Sequence, residues 1–261
     1  MGSIGNVRHF VARHRKLIFG IMLGITALIY IATIIPKINT EALGFDDGWI
    51  LQAPQNLSDK GIYASNGSLF EGTDKLFDVY LSTGPAVTVP IAAVFKIFGA
   101  GVFQARIVMA IFFLSAIILA GIYVYSQTKS LYAIFGPMII LLLTSPPIDF
   151  HLYILGEIPA IAFTLGSLFA WSKNKYILAG VFAGLSFSSK TIMFFMIIAG
   201  FLVLGLRLIR HWRKIQKPLL QLGSWTLGVV IPVIIWETFK FIQLGGTFAA
   251  FGILYKSIFS S

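Results

Sequence analysis

Two adjacent carboxylates, Asp46 and Asp47, are the side chains in this sequence whose type and spacing best suit chemistry. They lie in the stretch 45–49 (FDDGW), just beyond the first long apolar segment of a chain in which only 11% of the residues are charged. A positioned carboxylate can take the proton of an attacking hydroxyl group. Acidic residues in a loop are also commonly no more than solvated, so the elements around the pair must decide between these two interpretations.

Five further ionisable residues lie beside apolar segments, where charge is costly to keep and is therefore a candidate for function. The guanidinium of Arg106 and the ammonium of Lys190 suit a phosphate, although both side chains could instead reach toward lipid headgroups. A glutamate two residues before Pro159 is expected at a helix N-terminus, either as a simple cap or as an acceptor-binding or electrostatic group. The five residues are Arg106, Asp149, His151, Glu157 and Lys190.

A metal site is a further hypothesis for part of this set. Asp149, His151 and Glu157 together offer imidazole and carboxylate ligands of the kind that divalent metals use. A single histidine with no fixed ligand spacing is a weak pattern, so a divalent metal stays open and no cofactor is certain. The sequence has no cysteine, no phosphate-binding glycine loop and no zinc-ligand spacing.

The composition identifies the setting in which these side chains would work. Hydrophobic residues make up 57% of the 261 residues, far more than in a soluble domain. The net charge of +10 does not indicate nucleic acid, because the sequence has no polar domain on which a basic surface could form. The chain is therefore expected to be a multi-pass membrane protein.

Seven segments approach the ~20 apolar residues that a spanning helix requires. An eighth apolar segment, 84–98, contains Pro85, Pro90 and Lys96, which suit a helix lying on the membrane surface better than one exposed to lipid. The seven predicted spans are 17–35, 104–127, 131–145, 152–171, 176–189, 191–208 and 218–242.

Charge sorting gives the predicted orientation. If segment 84–98 does not cross, the basic N-terminal residues, Lys129, Lys173, Lys175 and the basic residues between 207 and 217 all fall on one side, which the positive-inside rule makes cytoplasmic. The ten acidic residues fall at or near the other side. A seven-span topology with the N-terminus inside therefore places the candidate site residues at the outer interface, in a plasma membrane with the site on its external face.

The sequence thus predicts an all-α fold: a polytopic membrane helical bundle of about seven transmembrane helices with a large external first loop containing short interfacial helices. The whole chain, 1–261, is expected to be one module. Its parts are a cytoplasmic N-terminus (1–16), the external loop (36–103), the remaining transmembrane helices (104–242) and an external C-terminal segment (243–261).

The order of short motifs along the chain resembles a known family. The stretch 45–49 is followed by 60–63 (KGIY), 82–85 (STGP), 98–99 (FG), Arg106, 156–159 (GEIP) and 188–190 (SSK). This series is similar to integral-membrane glycosyltransferases of the GT-C superfamily, in particular the protein O-mannosyltransferase and aminoarabinose-transferase-like branch. The acidic pair of that family is often Asp-Glu rather than Asp-Asp, and its members are usually longer, so the resemblance implies a short or truncated member.

The resemblance implies a specific reaction. A sugar carried on a polyprenyl phosphate would be transferred with inversion to a lipid, glycan or protein acceptor on the outer face. Asp46 or Asp47 would be the base, and Arg106 and Lys190 would bind the donor phosphate. Glu157, Asp149 and His151 would serve the acceptor or the electrostatics. The expected partners are the lipid-linked sugar, the acceptor and membrane lipids, and no nucleic acid.

Two alternatives remain at this point. One is a small membrane transporter or lipid-binding protein, in which ionisable residues would line a path through the bundle. The sequence places essentially no such residues in the middle of its spans. The other is an inactive protein that keeps a GT-C-like scaffold.

Overall fold

The computed structural model describes residues 14–40, 44–66, 74–78, 81, 83–131, 135, 152–210 and 214–259. Within these ranges the chain is a bundle of α-helices, with one short hairpin in the first loop. The helices are α1 (Arg15–Ile38), α2 (Phe45–Ile50), α3 (Gln52–Lys60), α4 (Pro85–Phe98), α5 (Val102–Thr128), α6 (Glu157–Ser172), α7 (Tyr176–Ser189), α8 (Phe194–Arg210), α9 (Gln216–Gln243) and α10 (Phe248–Phe259).

Among the described residues, four helical stretches are long and apolar enough to cross a membrane. They are α1 with 24 residues, α5 with 27, α8 together with its preceding 3₁₀ turn with 20, and α9 with 28. Helices α4 and α7 are apolar but have only 14 residues each. The predicted membrane helical bundle is confirmed, whereas the predicted span 131–145 lies almost entirely outside the described residues.

Several helix ends that the predicted topology places on the same side lie together at one end of the bundle. Arg106, near the start of α5, donates from Nη1 to the carbonyl oxygen of Ile38 at the end of α1, 2.8 Å away. Gln243, at the end of α9, donates from Nε2 to the Gly61 carbonyl oxygen at 2.6 Å. The end of α7 contacts the residues just before α4, as described below. We call this the loop end of the bundle.

The apolar segment 84–98 forms helix α4, and both ends of α4 are fastened at the loop end. The backbone N–H of Gly84, before the helix, donates to the Ser189 carbonyl oxygen at 3.0 Å. Lys96 Nζ, near its C-terminus, donates to the Ser58 carbonyl oxygen of α3 at 3.1 Å. A helix fixed in this way to the end of α7 at its start and to α3 at its end favours the prediction that it lies along the surface and does not cross.

The first loop contains more than the predicted interfacial helices. Residues Ala64–Ser65 (β1) and Lys75–Leu76 (β2) form a two-stranded antiparallel hairpin, with Ala64 opposite Leu76. Asn56 in α3 secures the first strand, since its Nδ2 donates to the Ala64 carbonyl oxygen at 2.9 Å. Two-residue strands have too little alternation to be visible in the sequence.

Helix α7 lies between α6 and α9 and crosses α9 at glycines. A Cβ added at Gly180 would lie 2.1 Å from the Trp225 carbonyl oxygen, and one added at Gly184 would lie 2.6 Å from that of Val229. The GxxxG spacing of these two residues therefore permits close helix packing. On the other side of α7, Ser186 Oγ donates to the Ala160 carbonyl oxygen of α6 at 2.9 Å.

Candidate active site

The two aspartates of the first loop have different environments. The Asp47 side chain is buried, with 1% of the residue exposed. Its Oδ2 accepts the backbone N–H of Gly44, 3.0 Å away, which caps the first turn of α2. Its Oδ1 accepts the N–H of Ile154 at 2.7 Å. Both oxygens of Asp47 are therefore occupied by backbone donors, and Asp47 fastens the start of α2 to the segment that precedes α6.

Asp46 is the exposed member of the pair. Its carboxylate makes no hydrogen bond or ion pair with the part of the chain that the structure describes. A general base needs an oxygen lone pair that an incoming hydroxyl can reach. The geometry separates two residues that the sequence leaves equivalent: Asp47 can position the loop, and Asp46 can meet a substrate.

The segment held by Asp47, which contains Ile154, also contacts the motif 82–85. Ile154 is fully buried, and its carbonyl oxygen accepts the hydroxyl of Thr83 at 3.4 Å. The Thr83 carbonyl oxygen in turn accepts the hydroxyl of Tyr63 at 3.2 Å. Burial raises the pKa of Tyr63 to about 12, so this phenol stays protonated and remains a donor at neutral pH. These bonds connect α2, the segment before α4 and the segment before α6.

Two glycines allow the segments before α4 and α6 to lie directly against the end of α7. A Cβ added at Gly84 would lie 2.0 Å from the Ser188 carbonyl oxygen, and one added at Gly156 would lie 2.2 Å from that of Ser189. No other residue type fits at such a distance, since real Cβ atoms do not approach a carbonyl oxygen so closely. Three motifs singled out in the sequence, 82–85, 156–159 and 188–190, therefore meet through their backbones.

An ion pair lies directly at this junction. Lys190 Nζ is 2.9 Å from Oε1 of Glu157, and the side chains are 21% and 47% exposed respectively. Glu157 begins α6, where the sequence predicts a helix N-terminus. Its second carboxylate oxygen, Oε2, is buried and accepts no hydrogen bond from the described residues. Lys190 thus supplies a partly exposed ammonium whose charge is held in place by a neighbouring carboxylate.

The other predicted site residues are placed less centrally. Arg106 is only 2% exposed, and its bond to the Ile38 carbonyl oxygen joins α1 to α5. Asp149 and His151 lie outside the described residues, so the metal site predicted from them stays a prediction. Among the described residues there is no group of three or more His, Cys, Asp or Glu side chains that could hold a metal ion.

A large apolar groove lies along α4, and the sequence did not predict it. Its volume is about 950 Å³, and it runs along α4 between α3, α7 and α9. Ser188, two residues before Lys190, and Pro85, next to Gly84, lie in its wall at one end; Lys96 lies at the other. A visible signal was the small residues Ala86 and Ala93 of α4, seven positions apart, which leave space along one helix face.

Aromatic side chains close the groove on the α9 side. Trp236 and Phe239 line it, and their rings are stacked with centroids 5.3 Å apart. Trp236 packs edge-on against Tyr63, with centroids 4.8 Å apart. Gln243 bonds to the backbone of Gly61 and Tyr63, which fixes the end of α9 against the first loop. The groove is consequently bounded by the same loop that carries Asp46.

Comparison with known proteins gives one informative finding. No protein-family model matches the sequence, and no curated protein matches it significantly. Among solved structures, the fold is similar to the crystal structure of ArnT from Cupriavidus metallidurans bound to undecaprenyl phosphate. The TM-score is 0.59 at 14% sequence identity, and the match covers 89% of this chain.

This likeness confirms the predicted class of fold, a membrane helical bundle. The resemblance to the GT-C superfamily, and to one branch of it, stays a prediction. The matched part amounts to 42% of the ArnT chain, so this chain spans less than half the length of that protein.

Proposed function

We propose that this chain is a glycosyltransferase module that moves a sugar from a polyprenyl-phosphate donor to an acceptor hydroxyl group. The observation that carries the proposal is the 950 Å³ apolar groove, whose wall includes Ser188, two residues before the partly exposed Lys190. An isoprenoid phosphate is an apolar chain with one anionic end, and this arrangement matches both parts. The fold likeness to ArnT, whose structure holds undecaprenyl phosphate, supports the same ligand class.

In this proposal, the acceptor hydroxyl attacks the anomeric carbon as Asp46 takes its proton. The bond from the anomeric carbon to the phosphate oxygen breaks, and the polyprenyl phosphate leaves with that electron pair. A single displacement of this kind inverts the anomeric centre. Lys190 stabilises the negative charge that develops on the leaving phosphate, because a charge-assisted hydrogen bond is strongest to the more highly charged oxygen.

The other predicted site residues position Asp46 and Lys190. Asp47 holds the start of α2, and so its neighbour Asp46, at a fixed distance from the segment that begins α6. Glu157 at the start of α6 holds Lys190. The base and the phosphate-binding ammonium are therefore carried by one interconnected framework, which favours reaction by fixing both substrates in reacting geometry. Arg106 completes that framework by joining α1 to α5.

The proposed location is a plasma membrane, with the loop end on its external face. All seven acidic residues that the structure describes lie in the first loop, at the start of α6 or near the end of α9. The basic residues that follow α6 and α8 lie at the opposite end. Positive residues are retained on the cytoplasmic side, so this distribution supports an external site.

A transport function is less well supported by the same geometry. In the four long helical stretches, the charged residues that the structure describes lie within about two turns of a helix end. A transporter would place ionisable groups along a path through the middle of the bundle. The apolar groove also follows α4 and does not run between the two ends of the bundle.

Lipid binding tests the proposal without knowledge of the sugar. The purified full chain is titrated with undecaprenyl phosphate and, in parallel, with undecaprenol, which lacks the phosphate. We expect tighter binding of the phosphate form, and Lys190→Gln should reduce that preference about ten-fold, as the loss of a charge-assisted bond implies. Lys60→Gln is the matched control, since Lys60 makes an exposed ion pair with Asp74 at the same end.

A second pair of variants tests the groove. Ala93→Trp fills part of the groove and should weaken binding of both lipids, because Ala93 lies in its wall. Ile97→Trp, on the same helix, is the control: Ile97 is 72% exposed and does not line the groove. Equal affinity of the wild type for the two lipids, or unchanged binding by Ala93→Trp, would contradict the proposal.

A further inference from the structure

The end of the bundle opposite the loop end is positively charged. It comprises the turn between α6 and α7, the end of α8 and the start of α9. No acidic residue lies in these segments within the part of the chain that the structure describes. The basic residues described there are Lys173, Lys175, Arg207, Arg210, Lys214 and Lys217. We call this the basic end.

The crossing of α7 and α9 creates a groove at the basic end. At the crossing, a Cβ added at Gly228 would lie 2.1 Å from the Ile177 carbonyl oxygen, so the two backbones touch. Toward the basic end the helices leave two adjoining depressions of about 410 and 440 Å³. Both depressions are lined by Asn174, Tyr176 and Ser224, and we refer to them together as the basic groove.

The basic groove is rich in hydrogen-bond donors. Lys217, Gln221 and Ser224 are spaced i, i+4 and i+7, so they share one face of α9, and all three line one depression. Lys175 lines the other. The side chains of these four residues make no hydrogen bond or ion pair with any residue that the structure describes. Ammonium, amide and hydroxyl donors without a carboxylate among them suit a phosphate oxygen.

The rim of the basic groove is apolar. Leu220 is 72% exposed, Ile177 48% and Leu178 42%, and each lines one of the two depressions. Beside them, Trp171 packs edge-on against Tyr176, with centroids 5.6 Å apart. Trp and Tyr side chains concentrate at the level of lipid headgroups, so the groove lies where a headgroup meets the hydrocarbon.

We infer that the basic groove binds the phosphate headgroup of an anionic phospholipid of the surrounding bilayer. Lys217 and Lys175 contact the phosphate, Gln221 and Ser224 donate to its oxygens, and the acyl chains lie along the exposed apolar residues of α7 and α9. With the loop end external, this groove faces the cytoplasmic leaflet, whose negative surface potential attracts basic residues near the membrane. The site is at the opposite end of the bundle from the groove proposed for the donor.

Native mass spectrometry of the purified full chain tests the inference without any transfer reaction. The protein is offered phosphatidylglycerol and phosphatidylcholine at equal concentration, and we expect preferential retention of phosphatidylglycerol. Lys217→Gln should lower that preference about five-fold, as expected from ~1 kcal/mol for one basic residue near the membrane surface. Lys214→Gln is the matched control, because Lys214 lies at the same end but does not line the groove.

Two further arms decide what the site recognises. Leu220→Ser, at a highly exposed position, should weaken retention of phosphatidylglycerol by removing the acyl contact. Inorganic phosphate at 100-fold excess should not displace the lipid; displacement would show a site for free phosphate and overturn the inference. Equal losses in Lys217→Gln and Lys214→Gln would also overturn it, since only the net charge of this end would then matter.

Discussion

Replacing each aspartate of the first loop separately should give two different defects. Asp46→Asn removes the carboxylate that we propose as base, and a general base contributes about 10²- to 10⁴-fold to a rate. Since Asp46 is exposed and makes no bond with the described residues, the variant should fold normally. We therefore expect turnover to fall by at least about 100-fold with an unchanged melting temperature.

Asp47→Asn should instead destabilise the protein. The carboxylate accepts N–H groups of Gly44 and Ile154 with its two oxygens, whereas an asparagine side chain has one oxygen and would turn an NH₂ group toward one of these donors. Losing one charge-assisted bond in a site that is 1% exposed, and leaving a donor unpaired, costs about 2–4 kcal/mol. For a chain of this size the melting temperature should fall by about 5–15 °C.

The assay measures both quantities on the same preparations. Turnover is followed with undecaprenyl-phosphate esters of mannose, glucose and aminoarabinose, and unfolding is followed by a thermal melt in detergent. Asp74→Asn, which removes a carboxylate from an exposed ion pair of the same loop, is the control and should change neither. Wild-type turnover in Asp46→Asn, or a wild-type melting temperature in Asp47→Asn, would refute the division of roles.

Three other predictions follow from local contacts. Gly84→Ala should lower the melting temperature, because its Cβ would lie 2.0 Å from the Ser188 carbonyl oxygen, whereas Gly48→Ala, with open space around it, should not. Burial raises the pKa of Tyr63 from 10.0 to about 12. The protonated phenol therefore stabilises the folded state below pH 10, and this contribution is lost as the pH rises to 12. In urea titrations, Tyr63→Phe should lack this part of the pH dependence of the free energy of unfolding. Tyr255→Phe removes a hydroxyl bonded to Glu237 and Lys240 of α9, and should speed tryptic cleavage within α10 about five-fold.

The sequence was sufficient to predict which segments lie at the same end of the bundle. A chain that crosses a membrane repeatedly must bring every second loop to the same side, and the distribution of charges predicts which side that is. Motifs 82–85, 156–159 and 188–190 were placed together on that basis. Their close contact requires that Gly84 and Gly156 have no Cβ atom. Charge and hydropathy patterns do not predict such a contact.

The sequence was not sufficient to separate Asp46 from Asp47. The difference arises from the Ile154 N–H, which is 107 positions away and approaches only one of the two carboxylates. The predicted span 152–171 begins five residues before α6, which starts at Glu157, where the sequence predicts a helix N-terminus. The residues before it are apolar enough for a helix, but Asp47 and Thr83 hold their backbone groups instead.

The apolar groove along α4 was missed for a related reason. Apolar residues in such a sequence predict contact with lipid or with another helix, and hydropathy treats the two alike. The position of α4 beside the groove depends on two distant bonds, from Gly84 to the end of α7 and from Lys96 to α3. Ala93 and Trp236 then face a common space that neither α4 nor α9 fills.

Lys190 shows how the charges at this site bear on the proposed reaction. The positive-inside rule disfavours a lysine at the end that we propose to be external, and here Glu157 compensates for its charge at 2.9 Å. A bound phosphate diester would have to share Lys190 with Glu157, which limits the affinity for the unreacted donor. As the bond to the sugar breaks, the phosphate gains charge and attracts Lys190 more strongly. The ion pair thereby favours the transition state over the bound donor, and only such a difference accelerates the chemical step.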